Sequence, residues 1–139
     1  AFRSFEDLEV WKKACALAVK TCRTVDGCRN FGFKDQMTRS SLSIASNIAE
    51  GAERDSKAEF VRFLNIAKGS AAELRTQLYI AEASKIISSA EAQELIAEVK
   101  ELSRMMQGLA DQFEAIHLIF NPAEVSFLSL KTEECPVFD

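Results

Sequence analysis

The sequence predicts an all-α protein, an antiparallel up-down-up-down four-helix bundle. Three observations carry that expectation. Glycine and proline are scarce, five and two in 139 residues, which disfavours a turn-rich β fold. Apolar residues recur at alternating steps of three and four over long runs, the spacing that holds one helix edge against its neighbours. Two capping boxes, Ser56-Lys57-Ala58-Glu59 and Ser88-Ser89-Ala90-Glu91, mark helix starts. The length suits one domain, because a chain of about 150 residues buries roughly two-thirds of its unfolded surface.

The first helix is expected to start at Ser4 or Phe5, with Glu6 and Asp7 in a first turn whose dipole favours negative charge. Leu8, Trp11, Cys15, Ala18, Cys22 and Val25 form its seam, and Asp26-Gly27 ends it. Residues 27–33 read as a loop in which Gly27, Gly32 and Asn30 suit positive φ, while Phe31 and Phe33 plug the bundle end. The second helix runs from about Lys34 to Ala52, with Gly51 as its stop. One wide arc of it holds Met37, Ser41, Ile44, Ala45, Ile48, Ala49 and Ala52; Gln36, Ser40, Ser43, Asn47, Glu50 and Arg54 line the other side.

The joint from Gly51 to Ser56 is short enough to turn a third helix back against the second. In that helix Phe60, Leu64, Ala67, Ala71, Leu74, Leu78 and Ala81 make the seam, flanked by Phe63, Ile66, Ser70, Gln77 and Ile80. Gly69 costs about 1 kcal/mol relative to Ala inside a helix, which points to a close crossing there. The fourth helix follows Ser88 and carries Ala92, Leu95, Val99, Leu102, Met106, Leu109, Phe113 and Ile116, with Glu91, Glu94, Glu98 and Glu101 as a solvated acidic stripe. Residues 1–118 are thus expected to be the bundle. Asn121-Pro122 stops the pattern, and residues 119–139, with Val125, Phe127, Leu128, Leu130 and Phe138, read as a C-terminal tail, partly docked or disordered.

Composition narrows the function classes. Net charge is −4, with eight Lys/Arg against six Asp/Glu in residues 1–50 and nine against fifteen in residues 51–139, so the chain is not a wholly basic nucleic-acid domain. Its apolar runs fall short of the roughly 18 residues that span a bilayer, and its opening lacks a secretory pattern, so the expected location is the cytoplasm, with no membrane contact. Cys15 and Cys22 stand seven residues apart on one helix, too far for a disulfide, and Cys28 and Cys135 form no Cys-x-x-Cys pair. With His117 as the sole histidine and no Glu-x-x-His, neither a zinc shell nor a di-iron site is expected. No phosphate-cradling glycine motif occurs, and no catalytic residue, metal or cofactor is assigned. His117 itself is expected at the bundle end or an interface.

Two groups remain as candidate sites. Lys12, Lys13, Lys20 and Arg23 cluster on one face of the first helix, the best patch for a phosphate backbone, although Glu9 dilutes it. The second is the polar row Arg39, Ser40, Ser43, Asn47, Glu50 and Arg54, with Arg62. Serines are unfavourable inside helices, so this row is expected to serve packing and a hydrogen-bonded ion network at a helix or subunit junction, in preference to a ligand or RNA site.

Several stretches together resemble the bacterial 23S rRNA intervening-sequence proteins. They are Phe5-Glu-Asp-Leu-Glu-Val-Trp-Lys-Lys-Ala14, Gln36-Met-Thr-Arg-Ser-Ser-Leu-Ser-Ile-Ala-Ser-Asn-Ile-Ala-Glu-Gly51, Glu59-Phe-Val-Arg-Phe-Leu64, Ala67-Lys-Gly-Ser-Ala-Ala-Glu-Leu74 and Gln77-Leu78. The resemblance covers roughly residues 5–110. It implies an up-down-up-down bundle that assembles as a homo-pentameric ring, similar to the accessory variability protein of diversity-generating retroelements, which binds nucleic acid and a reverse transcriptase. Those retroelement relatives are strongly basic, whereas this chain is acidic. The function so implied is a non-enzymatic scaffold or adaptor for RNA or a nucleic-acid enzyme such as a reverse transcriptase; the alternative is a protein-protein interaction module that binds no nucleic acid.

Overall fold

The computed structural model describes the backbone of residues 3–120 and the side chains of all of these but 117 and 118. The described chain is all-α: a short 3-10 turn, Phe5–Asp7, then α1 (Glu9–Val25), α2 (Phe31–Ala52), α3 (Lys57–Ala83) and α4 (Ser89–Phe120). No strand occurs among the described residues. The expectation for the tail lies, from residue 121 onward, outside them. No described helix is long and apolar enough to cross a membrane.

Helix starts are set by local hydrogen-bond needs. Ser56 Oγ accepts from Glu59 N and Ser88 Oγ from Glu91 N, each at 3.1 Å, so both capping boxes satisfy an orphan donor where expected. Asn30 does the same for α2 by accepting from Phe33 N at 3.1 Å. That cap moves the start of α2 to Phe31 and shortens the expected loop to residues 26–30. Gly32 and Phe33 are helical, no described glycine has positive φ, and Phe31 is 76% exposed instead of plugging the bundle. At its C-terminal end, α3 closes with Lys85 at φ 59°, Lys85 N bonded to Glu82 O and Ile86 N to Ala81 O. This pair of bonds is the Schellman pattern, with a lysine where glycine is usual. The first helix begins later than expected, because Leu8 is extended and separates the 3-10 turn from α1.

The helices meet along one core. Among neighbouring helices, α2 and α3 pack most extensively and α1 and α4 least. Contacts descend along one helix as they ascend along the next: Ser40 meets Gln77 and Ser43 meets Ser70 between α2 and α3. Phe60 meets Phe113, Lys68 meets Gln107 and Glu82 meets Gln93 between α3 and α4. The α3 seam is buried at every expected position, and Leu64, Leu74 and Leu78 are wholly enclosed. A fully buried side chain of this size stabilises the fold by about 1.5–3 kcal/mol.

In α1 the buried stripe differs from the expected seam. Val10, Ala14, Leu17, Ala18, Thr21 and Val25 are buried, while Trp11, Cys15 and Cys22 are half-buried. Thr21 enters the core because its hydroxyl donates to Leu17 O at 2.8 Å, which satisfies the only polar group it carries inward.

The glycines exchange roles. A Cβ built on Gly69 meets nothing within 4 Å, so no close crossing occurs there. The close crossing is at Gly51, where a Cβ would stand 2.5 Å from Phe63 Cβ. Gly51 lies inside α2, without positive φ, and its missing side chain admits α3. It is a packing glycine, not a helix stop.

Candidate interaction surface

Of the four cations expected to form a phosphate site, Lys13 and Lys20 reach α4, whereas Lys12 pairs within α1 and Arg23 borders α2. Lys13 Nζ lies 2.7 Å from Glu101 Oε1, and Lys20 Nζ lies 3.1 Å from Glu94 and also bonds Glu98. Lys12 pairs with Glu9 at 3.4 Å, and Arg23 makes no ion pair among the described residues. The acidic stripe of α4 is therefore not merely solvated: Glu94, Glu98 and Glu101 ladder onto the lysines of α1. The hydrogen bonds from Lys20 to Glu98 and Glu94 raise the Lys20 pKa, and the bond from Lys13 lowers that of Glu101. These groups are exposed, so the ladder orients the seam more than it stabilises it. Sequence reasoning missed this pairing, although the signal was present. Lysines seven apart on one helix match glutamates four and three apart on a helix that contacts it in reverse order.

The polar row separates into two groups within the chain. Between α2 and α3, the buried Ser40 hydroxyl donates to Gln77 Oε1 at 2.7 Å and the Ser43 and Ser70 hydroxyls are 2.9 Å apart, while within α2 Asn47 Nδ2 donates to Ser43 O at 2.8 Å. Toward the α2–α3 joint, Arg54 pairs with Glu50 and Arg62 with Glu59. Both guanidiniums also lie over the Phe63 ring, 5.0 and 4.7 Å from its centroid. Arg39 stands apart, paired with Asp35 at 3.0 Å. The serines thus spend their hydrogen bonds inside the protein, and no buried side-chain polar atom among the described residues lacks a partner.

The rotation of α1 creates a third feature. Cys15, Val19 and Cys22 face Leu42 and Ala45 of α2 across an open groove of about 400 Å³, with Arg23 and Ser46 at its edge. Val19 is 49% exposed and Leu42 50%. Burial pushes the Cys15 thiol pKa up, which makes it a small apolar side chain more than a nucleophile. On α3, Ile66, Tyr79 and Ile80 are exposed as well. No group of three or more His, Cys, Asp or Glu that could hold a metal occurs among the described residues. The side chain of His117 is outside them.

These features define a class: a small helical bundle whose polar groups serve packing and whose apolar groups partly face outward. Comparison with known proteins gives the family. Residues 6–108 match the model of the 23S rRNA-intervening sequence proteins, and the chain belongs to that family. Its fold is similar to the crystal structure of a protein of unknown function from the S23 ribosomal protein family of Bacteroides thetaiotaomicron, with 25% identity and a TM-score of 0.69. That alignment covers 73% of this chain and 97% of the other. No curated protein matches the chain.

Proposed function

We propose that this protein is a non-enzymatic, cytoplasmic adaptor, an antiparallel up-down-up-down bundle whose copies join into a ring and bind other protein chains. The observation that supports it is the α1–α2 groove, where Val19 and Leu42 stay half-exposed side by side in an apolar lining. Fully burying an exposed side chain of this size is worth about 1.5–3 kcal/mol, so covering the exposed half of each gives a second surface about 1 kcal/mol per residue. The reversed order of helix contacts supports the antiparallel arrangement. The family resemblance makes five the expected number of copies.

RNA ranks below a protein partner, a class that includes a reverse transcriptase, because a phosphate approaching Lys13 or Lys20 would compete with carboxylates already bonded to them. Light scattering coupled to size exclusion, on the parent and on Val19→Asp with Leu42→Asp, tests the reading. The expected result is an oligomeric parent, a folded monomeric variant, and no RNA mobility shift by either at low salt. A monomeric parent would sink the ring, and an RNA shift that fades steeply with added salt would restore the nucleic-acid reading.

A further inference from the structure

The end of α4 carries an apolar strip that the described residues cover only in part. Phe113, Ile116 and Phe120 recur on one edge of the helix, and with Ala58 and Val61 of α3 they line a hollow of about 300 Å³. A second hollow of about 350 Å³ continues past Phe113 to Phe60 and Ala52. Ile119 and Phe120 are 73% and 78% exposed, and among the large apolar residues described only Phe31 is comparably bare. Lys57, on the rim with Glu114, has no carboxylate partner among the described residues.

The sequence beyond α4 suits this strip. Asn121-Pro122 is a turn signal in the sequence, and the residue before a proline disfavours helical backbone, so the sequence is compatible with a chain that leaves the α4 axis there. Val125, Phe127, Leu128 and Leu130 come next, with Glu124 immediately before them. An extended chain advances about 3.3 Å per residue, so five residues past Phe120 span about 16 Å, enough to reverse and return along the last turns of α4. We propose that residues 125–130 of this same chain fold back over the α3–α4 strip and cover it, with Glu124 set against Lys57. The occupant is local, apolar and of the charge the rim cation requires. Covering this end leaves the α1–α2 groove as an apolar surface for partners.

Hydrogen exchange of the intact chain, read by mass spectrometry, tests the assignment. Peptides spanning 125–130 are expected to exchange at least about ten-fold more slowly than an unstructured peptide of the same sequence. Phe127→Asp with Leu128→Asp abolishes that protection and speeds exchange at 57–61, while 95–106 in the core of α4 is unchanged. An amine cross-linker applied to mixed isotope-labelled and unlabelled protein is expected to join Lys131 to Lys57 within one chain. Exchange of 125–130 at the unstructured rate in the parent overturns the proposal. So does a Lys131–Lys57 link found only between labelled and unlabelled copies, which would give the strip to a neighbouring subunit.

Discussion

Replacing Gly51 by alanine sets two known effects against each other. In an open helix position the change stabilises by about 1 kcal/mol, because glycine loses more backbone entropy on folding. Here the new methyl would stand 2.5 Å from Phe63 Cβ, 3.0 Å from Phe60 Cδ2 and 3.3 Å from Phe63 Cγ. Carbon atoms rest at about 3.5–4.0 Å, so α2 and α3 must part locally by about 1 Å. The obstructing Cβ is bonded directly to the α3 backbone and cannot swing away as a side-chain tip would, and Arg54 and Arg62 hold the ring it carries. Overpacking of this kind costs about 1–3 kcal/mol, and at its upper end the net effect of Gly51→Ala is a loss of about 2 kcal/mol. Gly69→Ala is the control: nothing lies within 4 Å of its added Cβ, so it should gain up to about 1 kcal/mol. Thermal unfolding at one fixed protein concentration should place the variants on opposite sides of the parent, by about 8 °C down and about 4 °C up. A Gly51→Ala protein more stable than the parent, as Gly69→Ala is expected to be, would refute the close-crossing account.

Lys85→Gly should stabilise by about 0.5–1 kcal/mol in urea unfolding, because the left-handed backbone at φ 59° strains a residue with a Cβ. Ser40→Ala leaves the buried Gln77 carbonyl without its donor and should cost about 1–2 kcal/mol; the double variant with Gln77→Leu should recover part of it in a mutant cycle. The Glu101 pKa is lowered by Lys13, so its contribution is present above the unfolded carboxylate pKa and lost as pH falls through the folded value. Lys13→Gln should therefore lose less stability than the parent between about pH 5 and pH 3 in acid titration. The Lys20 pKa is raised, so its contribution persists at neutral pH and fades only above about pH 10. Glu94→Gln with Glu98→Gln and Glu101→Gln frees the lysine face, and low-salt RNA binding should appear in this variant alone; binding by the parent would overturn the masking argument.

The fold was legible wherever one residue type has one physical role. Ser56 and Ser88 could only be caps, and the three-four spacing from Phe60 to Ala81 could only be a buried seam. Legibility failed where a residue has two roles and a distant neighbour chooses. Gly51 and Gly69 look alike in sequence, yet the bulk of Phe63 opposite one and open space opposite the other decide which is a packing glycine. Thr21 reads as a polar position, although a hydroxyl bonded to the carbonyl one turn back is free to be buried. With Val10, Ala14 and Leu17 buried on the same side as Thr21, the core stripe of α1 leaves Cys15 and Cys22 half out. The apolar groove is its consequence.

Charge carries the functional argument one step further. A cation's net contribution to phosphate binding is reduced by the partners it must give up, and a lysine free in water gives up only hydration while the phosphate backbone releases its condensed counterions. Lys13 and Lys20 would instead surrender positioned carboxylates that bridge the least extensively packed pair of neighbouring helices. Anion binding at that face therefore works against the α1–α4 seam, whereas a partner entering the α1–α2 groove displaces only water from Val19 and Leu42. The same helix thus holds the bundle together with one face and offers the other outward, and the offered face is apolar. Recognition by this surface should consequently be driven by apolar burial, with a negative heat-capacity change on assembly and little dependence on salt, the opposite of what a nucleic-acid partner would produce.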